Sequence, residues 1–219
     1  MSQLNLEFRH LPAFDRKDFI VSTSNYEAVS WLDKWPNWPK NGLSFYGEPG
    51  SGKTHLIHCW KLMTNGLIIE SSNLNNLSLK KIYKNSHVAI DNASKLPEEI
   101  LFHVINICNE ENGTIFLLDR KAPAKWNIKL QDLKSRVRSM AVIELKKPDD
   151  QLLELLFKKL FTDRQIKVND EVVKFLLKRV ERNFKDVQNL VDEIDIQSFA
   201  NKKEITVPFV STILKNMNI

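Results

Sequence analysis

Residues 47–54 read Gly47-Glu48-Pro49-Gly50-Ser51-Gly52-Lys53-Thr54 and fit the pattern G-x-x-x-x-G-K-[ST]. Such a run has one workable place in a fold, between the end of a buried strand and the start of a helix. Its glycines let the chain wind tightly enough for successive N–H groups to converge on a phosphate. Lys53 adds a cation near the β- and γ-phosphates, and the Thr54 hydroxyl can reach Mg²⁺. The flanks meet the requirement. Leu43-Ser44-Phe45-Tyr46 is a short apolar run suited to a buried strand, and His55 to Met63 contains neither Pro nor Gly. A helix opening there adds its partial positive charge. Gly47, Pro49, Gly50, Ser51, Gly52, Lys53, Thr54 and His55 are therefore the candidate nucleotide-binding residues, for ADP or ATP with Mg²⁺.

Further strands follow at regular spacing. Leu67-Ile68-Ile69 is one. Val88-Ala89-Ile90-Asp91-Asn92 is an apolar run ending in an acid, so Asp91 either holds the Mg²⁺ shell beside Thr54 or caps a following turn. Hydrolytic proteins of this class carry a second acid at the next position. Asn92 can orient a water but cannot accept its proton, so intrinsic hydrolysis should be slow or silent. Thr114 to Leu118 is a third buried-type strand with Asp119-Arg120 at its end, and Ala141 to Leu145 is another. The intervening stretches are helical. Ser24-x-x-Glu27 reads as a capping box ahead of Ala28, Val29 and Leu32, with Pro36 and Pro39 as stops. Pro97 fits the first turn of a helix that carries Ile100, Leu101, Val104, Ile105 and Cys108 and ends at Gly113. Strands alternating with helices imply an α/β fold with a parallel sheet covered on both faces.

The pattern changes at Lys146-Lys147-Pro148-Asp149-Asp150. Beyond it, Leu152 to Leu160, Val172 to Val180 and Val187 to Ile194 form three apolar stripes at helical spacing, with Asn169 and Asn183 as N-caps. Three parts are expected: a flexible tail over 1–12, a nucleotide-binding core over 13–147 and a small all-helical lid over 148–219. The 42% hydrophobic content is ample for such a core, and the net charge of +5 permits nucleic-acid contact without demanding it. Cys59 and Cys108 stand alone in apolar stretches and read as buried, reduced thiols. There is neither a signal pattern nor an apolar run of membrane-spanning length, so no membrane contact and a cytoplasmic location are expected.

Taken together the motifs resemble a known family. Phe14-Asp15, Phe19-Ile20-Val21 and Asn25 precede the phosphate loop. Trp31-Leu32-Asp33, Trp35-Pro36 and Trp38-Pro39 follow, then Ile90-Asp91-Asn92, Pro123-Ala124-x-Trp126, Asp132-Leu133-Lys134-Ser135-Arg136, and Thr206-Val207-Pro208-Phe209-Val210. This series is similar to the AAA+ ATPases of the DnaA initiator group, and within it to the Hda regulators that inactivate the initiator. The resemblance covers essentially the whole chain and implies an AAA+ core followed by a helical lid. It places Ile20, Val21 and Asn25 at the nucleotide, Asp119 at the sensor 1 position, and Lys185 at the sensor 2 position where relatives have arginine. Lys185 keeps the charge but loses the planar fork. Arg136 falls on the arginine finger that acts on a neighbour's nucleotide, although residue pattern alone favours reading it as one of a solvated basic run, Lys134-Ser135-Arg136-Val137-Arg138.

At the N-terminus Gln3, Leu4, Leu6 and Phe8 match the hexapeptide by which such relatives dock on the sliding clamp of DNA polymerase III, with Glu7 where some have Pro. The implied partners are the DnaA initiator and the clamp, with DNA reached only through the clamp, and self-association into a homo-oligomer is left open. An initiator would continue into a DNA-binding domain beyond residue 219, which favours the regulator. The competing expectations are a remodeller or helicase loader using its own ATP turnover, and a DNA-binding initiator.

Overall fold

Five apolar runs become five parallel strands. In the computed structural model, which describes residues 20–73, 82 and 84–217, they are β1 (Gly42–Tyr46), β2 (Leu67–Glu70), β3 (His87–Asp91), β4 (Thr114–Asp119) and β5 (Ala141–Glu144). They form one sheet in the order β2-β3-β4-β1-β5. Accompanying them are α1 (Tyr26–Asp33), α2 (Lys53–Thr64), α3 (Glu98–Glu110) and α4 (Gln131–Arg138).

Side-chain alternation along β4 distributes these helices over two faces. Ile115 and Leu117 join Val88 and Ile90 under Leu101, Val104 and Ile105 of α3 and Leu133 and Val137 of α4. Phe116 and Leu118 point the other way, with Leu43 and Phe45, against Ala28 and Leu32 of α1 and Leu56, Ile57 and Trp60 of α2. Phe45 meets Phe116 edge-on at 4.9 Å. Each such buried side chain contributes about 1.5–3 kcal/mol, so the sheet is held from both sides. The expected parallel sheet flanked by helices is what forms.

The remaining helices are α5 (Asp150–Asp163), α6 (Asp170–Leu177), α7 (Phe184–Asn201) and α8 (Val207–Asn216). Their stripes close on one another in a separate core that includes Leu153, Phe157, Leu176, Leu190, Ile194 and Leu214. Among the described residues no helix is long and apolar enough to cross a membrane.

Several local expectations are corrected. The Ser24 capping box does not form. Helix α1 starts after Asn25 with no side-chain cap, because Ser24 Oγ pairs with Ser22 Oγ at 2.8 Å. Pro97 precedes the first residue of α3 rather than occupying it. Gly113 does not supply the left-handed turn that ends α3, since Asn112 does so at φ 52°. Gly113 is needed for a different reason: a Cβ there would overlap the Ser86 carbonyl. Asn183 caps α7 through Lys185 N–H at 2.8 Å, whereas Asn169 stands at the N-cap of α6 without a side-chain bond.

Candidate nucleotide site

Strand order decides which side chains meet. Because β4 runs between β3 and β1, Asp91, Asp119 and the chain leaving Tyr46 stand together at one edge of the sheet. In a parallel sheet the carboxyl edge is where ligands bind. The loop after β1 curls there, with Gly50 at φ +77° and Gly52 at φ +92°. These left-handed angles are open to glycine at little cost. Among the described residues, the amides of Gly50, Gly52, Lys53 and Thr54 find no acceptor. Four unpaired donors at the start of α2 make a concavity suited to phosphate.

Lys53 lies within this curl. Its Nζ donates to Gly47 O at 2.5 Å and Glu48 O at 2.9 Å, with Ser51 Oγ at 3.3 Å. Burial lowers the pKa of this ammonium, and the nearby Asp91 carboxylate works in the opposite direction. Burial likewise raises the Asp91 carboxyl, opposed by the Asn92 N–H and by Lys53. One Asp91 oxygen accepts from Asn92 N–H at 2.9 Å, leaving the other open toward the loop's charge. Thr54 is exposed at the start of α2. Among the described residues no cluster of three His, Cys, Asp or Glu could cage a metal. That donor set suits Mg²⁺, which keeps waters and phosphate oxygens and needs few protein ligands. Asn92 itself adopts a left-handed conformation at φ 55°, which Asn tolerates better than most residues, and opens the turn 93–95.

Asp119, expected at the sensor 1 position, is held by backbone amides. Its Oδ2 accepts from Ser94 N–H at 2.8 Å and its Oδ1 from Arg120 N–H at 2.7 Å and Lys121 N–H at 3.3 Å. The buried carboxylate thereby ties the turn after Asp91 to the end of β4. Oδ1 is taken up by two of these amides, so a further donor would have to approach Oδ2.

The helical unit rests directly on the loop. Phe184 N–H donates to Gly50 O at 3.2 Å. A methyl at Gly50 would overlap Asn183, and one at Gly52 would lie 3.1 Å from the Phe184 ring. Lys185 is exposed in the first turn of α7. Asn25, Ser51, Gly52, His55, Leu152 and Phe184 are among the residues lining a cavity of about 20 Å³. That volume holds one water but not a purine, so a base entering there would have to displace lining side chains such as Phe184. Burial lowers the pKa of His55, with His58 and Lys159 of α5 adding to the effect.

Of the three upstream residues, only Asn25 faces this cavity. Its side chain donates to Ile20 O and accepts from Ser22 N–H, both at 2.8 Å, folding the segment onto itself. Ile20 packs against the helical core, and Val21 is exposed. The same segment is tied to the start of α5. Thr23 Oγ1 and Ser22 Oγ donate to Asp149 Oδ2 at 2.9 and 3.3 Å, while Asp149 Oδ1 caps α5 at Leu152 N–H, 2.7 Å. Burial alone would raise the Asp149 carboxyl. The hydrogen bonds from Leu152 and from the hydroxyls of residues 22–24 outweigh it and hold the group below the usual carboxylate range.

Arg136 stands apart from these groups. It is exposed near the end of α4, with its guanidinium 5.3 Å from the centre of the Phe102 ring. Among the described residues it makes neither a hydrogen bond nor an ion pair with the loop. Gln3, Leu4, Leu6 and Phe8 lie outside the described residues. Asp149 and Phe184 were not singled out from the sequence. An acid just before a Leu-rich stripe was a readable N-cap signal for Asp149, whereas nothing marked Phe184 as the residue that would meet the loop.

Comparison with known proteins adds three findings. The family described as Hda, lid domain, matches residues 149–214. The chromosomal replication initiator protein DnaA of Leifsonia xyli subsp. xyli is 22% identical over 228 residues, covering 91% of this chain and 48% of that protein. The chain thus spans about half the length of the curated relatives it matches. Domain III of the Thermotoga maritima replication initiation protein DnaA superposes with a TM-score of 0.79 at 20% identity, covering 94% of this chain and 97% of that one. The AMPPCP-bound DnaA of Aquifex aeolicus superposes at 0.71 with 18% identity, over 87% and 67% of the two chains.

Proposed function

Starting from a chain that is a DnaA-related AAA+ protein with an Hda-type lid, we propose that it is a nucleotide-bound negative regulator of replication initiation. In this reading it docks on the sliding clamp through Gln3, Leu4, Leu6 and Phe8 and turns Arg136 toward ATP held by the DnaA initiator. The observation that carries it is the separation of two functions in one chain. In this reading the loop, Lys53, Thr54 and Asp91 hold phosphate and Mg²⁺, and Asn92 stands where a second, water-activating acid would be needed. Arg136, by contrast, is exposed and makes no contact with that site among the described residues.

An adenine nucleotide held by Lys53 and the loop amides then serves as a structural ligand beneath the lid; one nucleotide-bound DnaA shares this fold. Mg²⁺ would bridge Thr54 and Asp91. The hydrolysing partner supplies the ATP and the water-activating acid, and this chain supplies a positive charge to the transferring phosphoryl group. Charges so placed are worth about 10³–10⁵ in rate in related systems.

The test is ATP turnover by the initiator in the presence of this protein, clamp and DNA, with each omitted in turn. Stimulation should need all of them. Arg136→Ala should abolish it while nucleotide affinity and clamp pull-down persist. Replacing Leu4, Leu6 and Phe8 together by Ala should abolish pull-down and leave nucleotide affinity unchanged. Stimulation by Arg136→Ala equal to wild type would remove the proposal. Substantial turnover by this protein alone would favour the remodeller instead.

A further inference from the structure

We propose that α3 is the platform that presents Arg136: Glu98 fixes the start of the helix carrying it, and Phe102 holds its guanidinium. The inference rests on the arginine-finger reading above and names the residues through which that finger is pre-set.

Helix α4 has an unusual beginning. Its N-cap residue is Leu130, which offers no side-chain acceptor. The two amides that lead into the helix are instead held from another helix. Glu98, the first residue of α3, accepts from Lys129 N–H at 2.9 and 3.0 Å and from Leu130 N–H at 2.7 Å. These bonds, the one to Lys129 foremost, keep the Glu98 carboxyl below its ordinary range and therefore charged. A carboxylate at a helix start is favoured by the helix dipole as well. One turn further along α3, on the same face, Phe102 meets the Arg136 guanidinium at 5.3 Å from the ring centre. That distance is within the range of a cation–π contact.

Three constraints therefore act on one arginine. Leu133 and Val137 are fully buried and set the roll of α4 about its axis. Glu98 sets its position along the axis. Phe102 restrains the one part left free, a long side chain with several rotatable bonds. A finger works by placing charge where it develops in the transition state, and it works best when little reordering remains at that moment. Glu98 bonds the start of α4 and Phe102 meets Arg136, so they are positioning residues that act through Arg136.

The experiment is initiator ATP turnover with clamp and DNA, titrated with variants of this protein. Phe102→Leu keeps an apolar side chain and removes the ring, whereas Phe102→Tyr keeps the ring. Phe102→Leu should lower maximal stimulation about two- to five-fold, the scale of an exposed cation–π contact, with the half-saturating concentration unchanged. Phe102→Tyr should restore it. Glu98→Gln should lower the maximum in the same way. In an Arg136→Ala background Phe102→Leu should change nothing further. Thermal unfolding of each variant identifies loss of fold, in which case the Tyr and Gln variants carry the test. The platform is overturned if Phe102→Leu matches or exceeds wild type, or if Phe102→Tyr is as poor as Phe102→Leu, while Arg136→Ala still abolishes stimulation. If Arg136→Ala stimulates normally, it is the finger reading that fails.

Discussion

Replacing Gly50 by Ala tests how tightly the helical unit and the phosphate loop are joined. Two costs arise at this position. Its φ of +77° is left-handed, and an alanine there costs about 1–2 kcal/mol. The added methyl also collides with Asn183, whose carbonyl oxygen caps α7 at Lys185 N–H. Displacing that cap costs about 1 kcal/mol more. The sum, about 2–3 kcal/mol, should lower the melting temperature by about 4–12 °C for a chain of this size. A double-mutant cycle separates the two parts. Asn183→Ala removes the cap beforehand, so Gly50→Ala in that background should cost only its backbone strain. The cycle should therefore show a coupling of about 1 kcal/mol. Additivity within about 0.5 kcal/mol, the behaviour of sites that do not touch, would refute the contact and the reasoning from it.

Other expectations follow from the same geometry. Lys53→Ala should lose ADP binding by calorimetry and with it the rise in melting temperature that ligand brings to wild type, since a ligand stabilises the state it binds. Asp149→Ala should cost about 0.5–2 kcal/mol at neutral pH through loss of the α5 cap. Because the folded pKa of Asp149 is depressed, its contribution is fully present above the unfolded value of about 3.9 and is lost as pH falls through the folded one. Melting curves of wild type and variant should therefore converge at acid pH, and a gap that widened on acidification would contradict the assignment. Phe157→Ala, in the middle of the helical core, should cost about 3–5 kcal/mol by denaturant unfolding.

Some of this architecture was readable and some was not, for identifiable reasons. The loop was readable because its chemistry lies within eight consecutive residues, and the strands because four to six apolar residues announce themselves. Helix α1 differs at its start because both capping oxygens are engaged elsewhere: Ser24 Oγ pairs with Ser22 Oγ, and Asn25 Oδ1 accepts from Ser22 N–H. Asp119 was legible as a strand-end acid but not as a tether, since its partner Ser94 belongs to another strand's turn. The bond from Thr23 to Asp149 joins residues 126 positions apart. The grip of Glu98 on Lys129 and Leu130 spans more than thirty. Periodicity reports which face is buried, but not which distant amide a carboxylate will find.

The two left-handed glycines of the loop, Gly50 and Gly52, have a mechanical consequence. They make the loop thin enough for Asn183 and Phe184 to sit on it, and these residues are the foot of the 18-residue helix α7. A helix of that length is a rod of about 27 Å, and a tilt of roughly 10° at its foot carries its far end through about 5 Å. If the cleft beside Phe184 is opened by moving that residue together with its backbone, the foot is displaced in this way. The phosphate loop is then the fulcrum, α7 the lever arm, and the far end of the lid registers whether the cleft is filled at a distance where its occupant makes no contact at all.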